Sequence, residues 1–399
     1  MITLNPAILT WARETAGLSL EDAADAIGLN DARGLRGSER LAALEKGENQ
    51  PSRPLLLKMA KAYRRSLLVF YLTEPPKRGD RGQDFRTVPG APPPLYDPEL
   101  DALLRDINAR HSIVKSLRED LEAEPLAFVG SVNMDTSVTQ LARRVAHHLG
   151  FVLSEFQSQS SVELAFAYLR SKIEASGIFV LLLGNLGSHH TNISVDTFRG
   201  FAIADRIAPF VVVNDQDAHS AWAFTALHEV IHLWLGTTGV SGTGDTAKIE
   251  RYCNDVAGEI LLPTNEMSSL AALRSARLSS AIERISAFAR RRNVSRAMVS
   301  YKLFRTGLIS ERLLTDLKNH LNKEWAAIKA KNADVQKQSE GGPNYYVVRR
   351  HRLGPALLGL VSSSLQDGNI TYTKAGQVLG VKPRNVDPLL RGRSMSGVR

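Results

Sequence analysis

Two histidines four residues apart, His228 and His232, enclose Glu229 in the pentapeptide His228-Glu229-Val230-Ile231-His232. If 217–235 (DAHSAWAFTALHEVIHLWL) is a helix, the two imidazoles differ by only about 40° around its axis and leave from one face. They can then grip one metal ion. Zinc takes imidazole nitrogens and carboxylate oxygens in a tetrahedron, and a hydrolytic site keeps one position for water, so a third protein ligand is needed. A second helix is expected to start near Asp245 or Thr246, after the glycine-rich stretch 236–244. It carries Glu250, with Asn254 one turn further on the same face. Glu259, nine residues beyond Glu250, is a rival ligand, and Cys253 is either a ligand, an oxidant sensor or a core thiol. With zinc held by His228, His232 and Glu250, the pKa of its water would fall to about 7. Glu229, offset from His228 by about 100°, would take the proton and hand it to the leaving amine of a cleaved peptide. Asn254 is expected to orient a ligand by a hydrogen bond. Tyr252 and His219 are candidates for stabilising the oxyanion. The pairs His147 and His148, and His189 and His190, lack an i, i+4 partner and read as exposed.

The elements that must position these groups follow from periodicity. Runs 178–183 (IFVLLL), 199–204 and 209–213 (PFVVV) read as buried strands, preceded by helices at 136–149 and 161–176. Helices continue from 246 to about 325, broken near Pro263 and Asn293. Apolar residues Ile249, Val256, Ala257 and Ile260 form a stripe suited to pack against the histidine helix. This is an α+β layout, mostly helical. Upstream, 1–73 holds five short amphipathic segments (7–15, 19–27, 38–46, 54–63, 66–72), with Ser19 ahead of Glu21 and Asp22 as a helix start and Gly28 and Gly47 as stops. The proline- and glycine-rich 74–97 reads as a linker, and 98–123 as one long helix that opens a core domain over 98–270. A helical subdomain over 271–330, a polar linker over 331–344 and a helical extension over 345–399 complete the division.

The 399 residues carry 50 Lys and Arg against 41 Asp and Glu, a formal charge of +9. That excess makes nucleic acid a candidate partner. Arg284, Arg290, Arg291, Arg292, Arg296, Lys302 and Arg305 concentrate it. No apolar run approaches the roughly 20 residues needed to span a bilayer, so no membrane role is expected. A lone cysteine, Cys253, excludes disulfides within the chain and makes a reducing cytoplasm the default.

The sequence His228-Glu229-x-x-His232 followed by Glu250-x-x-Cys253-Asn254-x-x-Ala257-x-x-x-Leu261-Leu262-Pro263 resembles the signature of the ImmA/IrrE zinc metallopeptidases. Arg199-Gly200-Phe201 and Pro209-Phe210-Val211-Val212-Val213-Asn214 resemble the family's strands before the zinc helix. The resemblance implies a zincin-like core in which His228, His232 and Glu250 bind zinc and Glu229 is catalytic, and it favours Glu250 over Glu259. It also implies cleavage of a transcriptional repressor at a specific site, releasing stress, mobile-element or phage-defence genes.

Residues 7–72 resemble a helix-turn-helix of the xenobiotic-response-element (XRE) type, through Leu18-Ser19-Leu20-Glu21-x-Ala23-Ala24-x-x-Ile27-Gly28 and Leu44-Glu45-x-Gly47-x-x-x-Pro51. Pro75-Pro76 and Asp84-Phe85-Arg86 are similar to the joint by which such a module is fused to an ImmA/IrrE peptidase. Two departures stand out: about eight extra residues at Asn30 to Gly37, and the acids Glu21 and Asp22 where a phosphate would approach. Arg33, Arg36 and Arg40 are the candidate DNA contacts that would compensate, and DNA binding and protein docking both stay open. The segment 279–310 has a similar rhythm, and its basic face is a candidate site for single-stranded nucleic acid as an activator. Residues 370–390 repeat that rhythm once more. The competing reading of the whole chain is a DNA-binding regulator or antitoxin whose peptidase-like domain only senses or docks.

Overall fold

The computed structural model describes residues 4–32, 34–76, 97–187, 191–237, 246–275, 277–338 and 344–391. The expected linker stretch 77–96, with Asp84-Phe85-Arg86, lies outside the described residues, as do Arg33, His189, His190, the glycine-rich 238–245 and the last eight positions. By its internal contacts the chain divides into two units, one of Met1–Gly82, Pro92–Asn108 and Asn185–Ile193, the other of Gln83–Ala91, Ala109–Gly184 and Ser194–Arg399.

The first unit is built on four short helices, α1 (Pro6–Glu14), α2 (Leu20–Ile27), α3 (Gly37–Glu45) and α4 (Arg53–Ala62). Local chemistry starts and stops them. The side chains of Asn5, Ser19 and Ser52 accept from backbone N–H groups of the first turns of α1, α2 and α4, and Gly28 closes α2 in the left-handed region at φ 63°. Ile8, Leu9, Ala12, Ile27, Leu41 and Met59 bury the inward faces. The fifth expected helix is a 3-10 turn, Leu67–Tyr71, that buries Phe70. Arg13 clamps the end of α3 with two parallel bonds to the Glu45 carboxylate, at 2.8 and 2.9 Å.

On either side of Arg33, the extra residues between α2 and α3 are tied by backbone bonds. Ala32 and Leu35 exchange hydrogen bonds of 3.0 and 3.1 Å, and the Asp31 carboxylate accepts from the N–H of Gly37 at 2.8 Å. A Cβ on Gly37 would lie 1.9 Å from the carbonyl oxygen of Leu29. Gly37→Ala is therefore expected to destabilise this unit by roughly 1–3 kcal/mol, as overpacking against backbone does. A lower urea midpoint on a probe in the first unit, with the second unit's transition unmoved, is the measurement.

In the second unit a three-stranded sheet of order β1-β3-β2 is formed by β1 (Phe179–Leu182), β2 (Gly200–Ile203) and β3 (Phe210–Val213). β1 and β3 run parallel with Phe179 opposite Phe210, and β2 is antiparallel with Gly200 opposite Val213. Every residue of the three strands is buried, which is why they read as continuous apolar runs without alternation. The long helix α5 (Pro98–Asp120) spans the division of the chain, its residues from Ala109 onward grouping with this unit. The helices α6 (Val138–Leu149), α7 (Leu153–Gln157) and α8 (Val162–Ala175) precede the sheet. α9 (His219–Leu235) packs on β2 and β3, and α10 (Thr246–Leu261) packs on α6 and α9.

A 3-10 segment (Thr264–Ser275) leads to α11 (Leu278–Arg291), α12 (Arg296–Arg305) and α13 (Glu311–Gln338). The stretch 331–344, expected as a linker, is thus helical as far as Gln338. Its Lys, Ala and Gln content favours helix even without an apolar face. Much of the expected cationic face around α12 is engaged internally: Arg292 pairs with Glu266, Arg296 with Glu324, Lys302 with Glu259 and Arg305 with Asp255. Arg284, Arg290 and Arg291 remain exposed.

Four further helices, α14 (Tyr345–Leu353), α15 (Pro355–Gln366), α16 (Tyr372–Leu379) and α17 (Val386–Arg391), with a 3-10 turn at Pro383–Asn385, are joined to β1 and α8. The joint is a buried arginine. Arg170 on α8 donates to the carbonyl of Val180 on β1 and to those of His351 and Arg352 at the end of α14, while its Nε lies 3.0 Å from Glu174. Glu174 in turn accepts from the N–H of Ala356 at 3.0 Å. One ion pair therefore satisfies a strand carbonyl, the last carbonyls of α14 and the first turn of α15.

Candidate metal centre

The turn before α9 sets where its histidines go. Asn214 donates to the carbonyl of Phe198 at 3.0 Å and accepts from the N–H of Gln216 at 2.9 Å, and Asp217 accepts from Ala218 N–H at 2.8 Å. The helix that follows is apolar on nearly all sides, with Ala226, Leu227, Val230, Ile231 and Leu233 fully buried. It ends at Gly236, in the left-handed region at φ 68°, where a Cβ would stand 2.9 Å from Gly130 Cα.

On the face toward α10 the two Nε2 atoms of His228 and His232 are 3.2 Å apart. Glu250 reaches them from α10, with Oε2 3.5 Å from His228 Nε2 and Oε1 3.5 Å from His232 Nε2. His228, Glu229, His232 and Glu250 are 3, 2, 7 and 8% exposed. Bonds of 2.0–2.1 Å in a tetrahedron place ligand atoms about 3.3 Å from one another, so the observed spacings fit a zinc ion. The Cys253 thiol shares the pocket, its sulfur and the imidazole nitrogens lying within 4.8 Å of one another. Two imidazoles, a carboxylate and a thiol are a donor set for a borderline-soft divalent ion.

Thr237 is the site residue that sequence reasoning missed. Its Oγ1 is 2.8 Å from His232 Nδ1 and donates to the carbonyl of His232 at 3.3 Å, so the hydroxyl is placed to accept from the ring. A proton on Nδ1 leaves the Nε2 lone pair for a metal. The signal lay in the helix stop: a residue just past a left-handed glycine folds back on the last turn, and Thr237 N–H does bond the His232 carbonyl at 3.0 Å. Thr237→Val should weaken zinc affinity by about 10- to 100-fold, measured by competition with a chromogenic chelator.

Glu229 sits against the start of β2. A Cβ on Gly200 would lie 3.0 Å from Glu229 Oε1 and 2.7 Å from Thr225 Cγ2, so the glycine leaves room for the carboxylate. The other sequence candidates are placed elsewhere. Tyr252 donates to the carbonyl of Thr136 at 2.7 Å. His219, at the first turn of α9, has Nδ1 2.8 Å from Glu163 and stacks on Trp222, about 13 Å along the helix from His228. Asn254 is half-buried and makes no hydrogen bond among the described residues. In the first unit, Arg36 is exposed at the start of α3 and Arg40 donates to the carbonyl of Asn30.

The rival ligand Glu259 is committed to other partners, Lys302 and the hydroxyl of Thr264 at 2.7 Å. Burial alone would raise its pKa, but the hydrogen bonds from Lys302 and Thr264 outweigh that and hold it below the ordinary glutamate value. A depressed folded-state pKa contributes stability above the unfolded value and loses it as pH falls through the folded one. Melting temperature should therefore fall less steeply below about pH 4.5 in the Glu259→Gln, Lys302→Met double variant than in the wild type, seen by calorimetry across an acid series.

The buried cluster of two histidines and a carboxylate is shared by α9, which packs on the sheet, and α10, which packs on α9. In comparison with known families, residues 184–304 match the Peptidase_M78 family, described as the IrrE N-terminal-like domain. The matched stretch holds β2, β3, α9 and α10, and so includes His228, Glu229, His232 and Glu250. No curated protein and no solved structure matches the chain. No described helix is long and apolar enough to cross a membrane.

Proposed function

We propose that the chain is a zinc-dependent endopeptidase of the ImmA/IrrE type that cleaves a transcriptional repressor in the cytoplasm. The observation that carries this reading is the convergence of His228, His232 and Glu250 at 3.2–3.5 Å in a buried site. These three residues would hold the metal, with the Cys253 thiol close beside them. When bound, zinc supplies a water acidified to about neutral pH and a Lewis acid for the scissile carbonyl. The Glu229 carboxylate takes the water's proton and delivers it to the leaving amine. β2 is an edge strand whose first residue lies beside Glu229, so an extended peptide added to it would bring its backbone to that carboxylate.

The first unit, in this reading a helix-turn-helix of XRE type, brings the enzyme to its target by docking on protein. The exposed acids Glu21, Asp22 and Asp25 on α2 support docking, because they would repel a phosphate backbone. The test is incubation of the zinc-loaded protein with the repressor encoded beside its gene, with and without chelator, and mass spectrometry of the products. Cleavage at one bond that stops with chelation and returns with zinc is expected. An unchanged repressor, beside tight binding of the chain to its own promoter, would favour the regulator reading instead.

A further inference from the structure

Among the described residues, α16 and α17 meet through a short turn in the rhythm of a helix-turn-helix. α16 begins at Thr371, whose hydroxyl accepts from the N–H of Lys374, and stops at Gly380 in the left-handed region at φ 61°. The chain then turns at once. Val381 N–H bonds the carbonyl of Gly376 at 2.8 Å, and the 3-10 turn Pro383–Asn385 runs directly into α17. Gly376 lets the turn fold back on α16, since a Cβ there would stand 2.7 Å from the carbonyl oxygen of Val381. Ala375, Val378, Leu379, Val386 and Leu389 are all fully buried between the arms and the helices behind them. The turn is locked from beneath: Arg349 donates to the carbonyls of Leu379 and Gly380 at 2.7 and 2.9 Å. Small residue, left-handed glycine and apolar positions at this spacing make the tight turn that a groove-reading second helix requires.

What this motif shows to solvent is basic. Lys374, Lys382, Arg384 and Arg391 are exposed. Asp387 is the lone acid of 371–391; it accepts from the Tyr372 hydroxyl at 3.0 Å, and Arg391, only loosely placed 3.8 Å away, keeps 83% of its side chain exposed. The span of α2 and α3 in the first unit reads the other way: across 19–45 six acids face three arginines.

We propose that Thr371–Arg391 is a duplex-DNA-binding site, with the helical segment from Pro383 in the major groove and Lys382, Arg384 and Arg391 on the phosphates. The charge decides between partners, because exposed Lys382 before the 3-10 turn, Arg384 within it and Arg391 at the end of α17 suit a row of phosphates better than an acidic peptide's irregular charges. The assignment does not depend on the peptidase reading, and it gives DNA to the end of the chain that the acidic α2 leaves without it.

The experiment is fluorescence anisotropy of the full chain with a labelled random duplex of about 30 base pairs, titrated with salt from about 50 mM upward. Lys382→Gln, Arg384→Gln and Arg391→Gln together should weaken binding at least about tenfold and reduce the log–log salt slope by about 2–3, near 0.9 per lost phosphate contact. All three side chains are exposed, and circular dichroism with a thermal melt checks that the fold survives. Glu21→Lys with Asp22→Lys in the first unit should leave the duplex affinity of the unsubstituted C-terminal site in place. The proposal is overturned if the triple variant keeps wild-type affinity and slope. It is equally overturned if the wild type does not bind duplex at the lowest salt, or binds polyglutamate instead.

Discussion

Glu229→Gln should abolish peptide cleavage while leaving the bound metal in place. The substitution removes a proton acceptor and keeps the shape, so the amide fits the space that Gly200 leaves for the carboxylate. A positioned general base is worth about 10²–10⁴-fold in rate, so kcat should fall by that factor or more. Zinc stoichiometry should not change, since the close-packed donors are His228, His232 and Glu250. Glu250→Gln should behave differently, losing metal and rate together. Initial cleavage rates beside metal content by mass spectrometry separate the two variants. A Glu229→Gln protein cleaving within a few-fold of wild type, free of contaminating protease, would remove Glu229 from the chemistry.

The largest effect on stability is expected at Arg170, far from the histidines in sequence. Arg170→Met strands the Glu174 carboxylate in a buried site and strips a donor from the carbonyls of Val180, His351 and Arg352. Breaking one side of a buried ion pair costs about 3–5 kcal/mol, largely through the charge left behind. Burial already pushes the Arg170 guanidinium below its ordinary pKa, with Glu174 acting against that shift. Removing both charges, as Arg170→Met with Glu174→Leu, should recover part of the loss. Urea unfolding of the wild type, both single variants and the double variant measures it. A single variant within 1 kcal/mol of wild type would show that α14 and α15 are held by their apolar contacts alone.

How much of this could be read from residues alone varied with the range of the interaction. The three strands, α9 and α10 announced themselves by local pattern: the unbroken run Phe210–Val213 could only be a buried strand, and the His228, His232 pair needs nothing but a helix. Glu250 needs a turn of unknown course between two helices, so spacing alone leaves Glu259 a rival; the family resemblance favours Glu250, and Lys302 occupies Glu259 in the fold. Thr237 depended on how the chain folds back after Gly236, and the partners of Arg292, Arg296 and Arg305 lie 26 to 50 residues away in sequence. Those pairs changed a reading based on charge count, because a cation already neutralised within the fold does not advertise itself to a nucleic acid. The stretch 331–344 shows the reverse: it has no apolar stripe, yet α13 continues over 331–338 on propensity alone.

The Arg170 joint also bears on how the protein is made. The carbonyl of Val180, on an edge strand, and those at the end of α14 share the guanidinium of Arg170, which lies 181 residues before His351. On the ribosome, Phe179–Leu182 is synthesised long before its cover exists, and an apolar strand with an open edge invites pairing with a neighbour. The histidines, Glu229 and Glu250 would all have emerged by then. Order of synthesis thus puts the covering of this edge by α14 and α15 after His228, Glu229, His232 and Glu250, and the chain must protect that edge while more than 160 further residues are added.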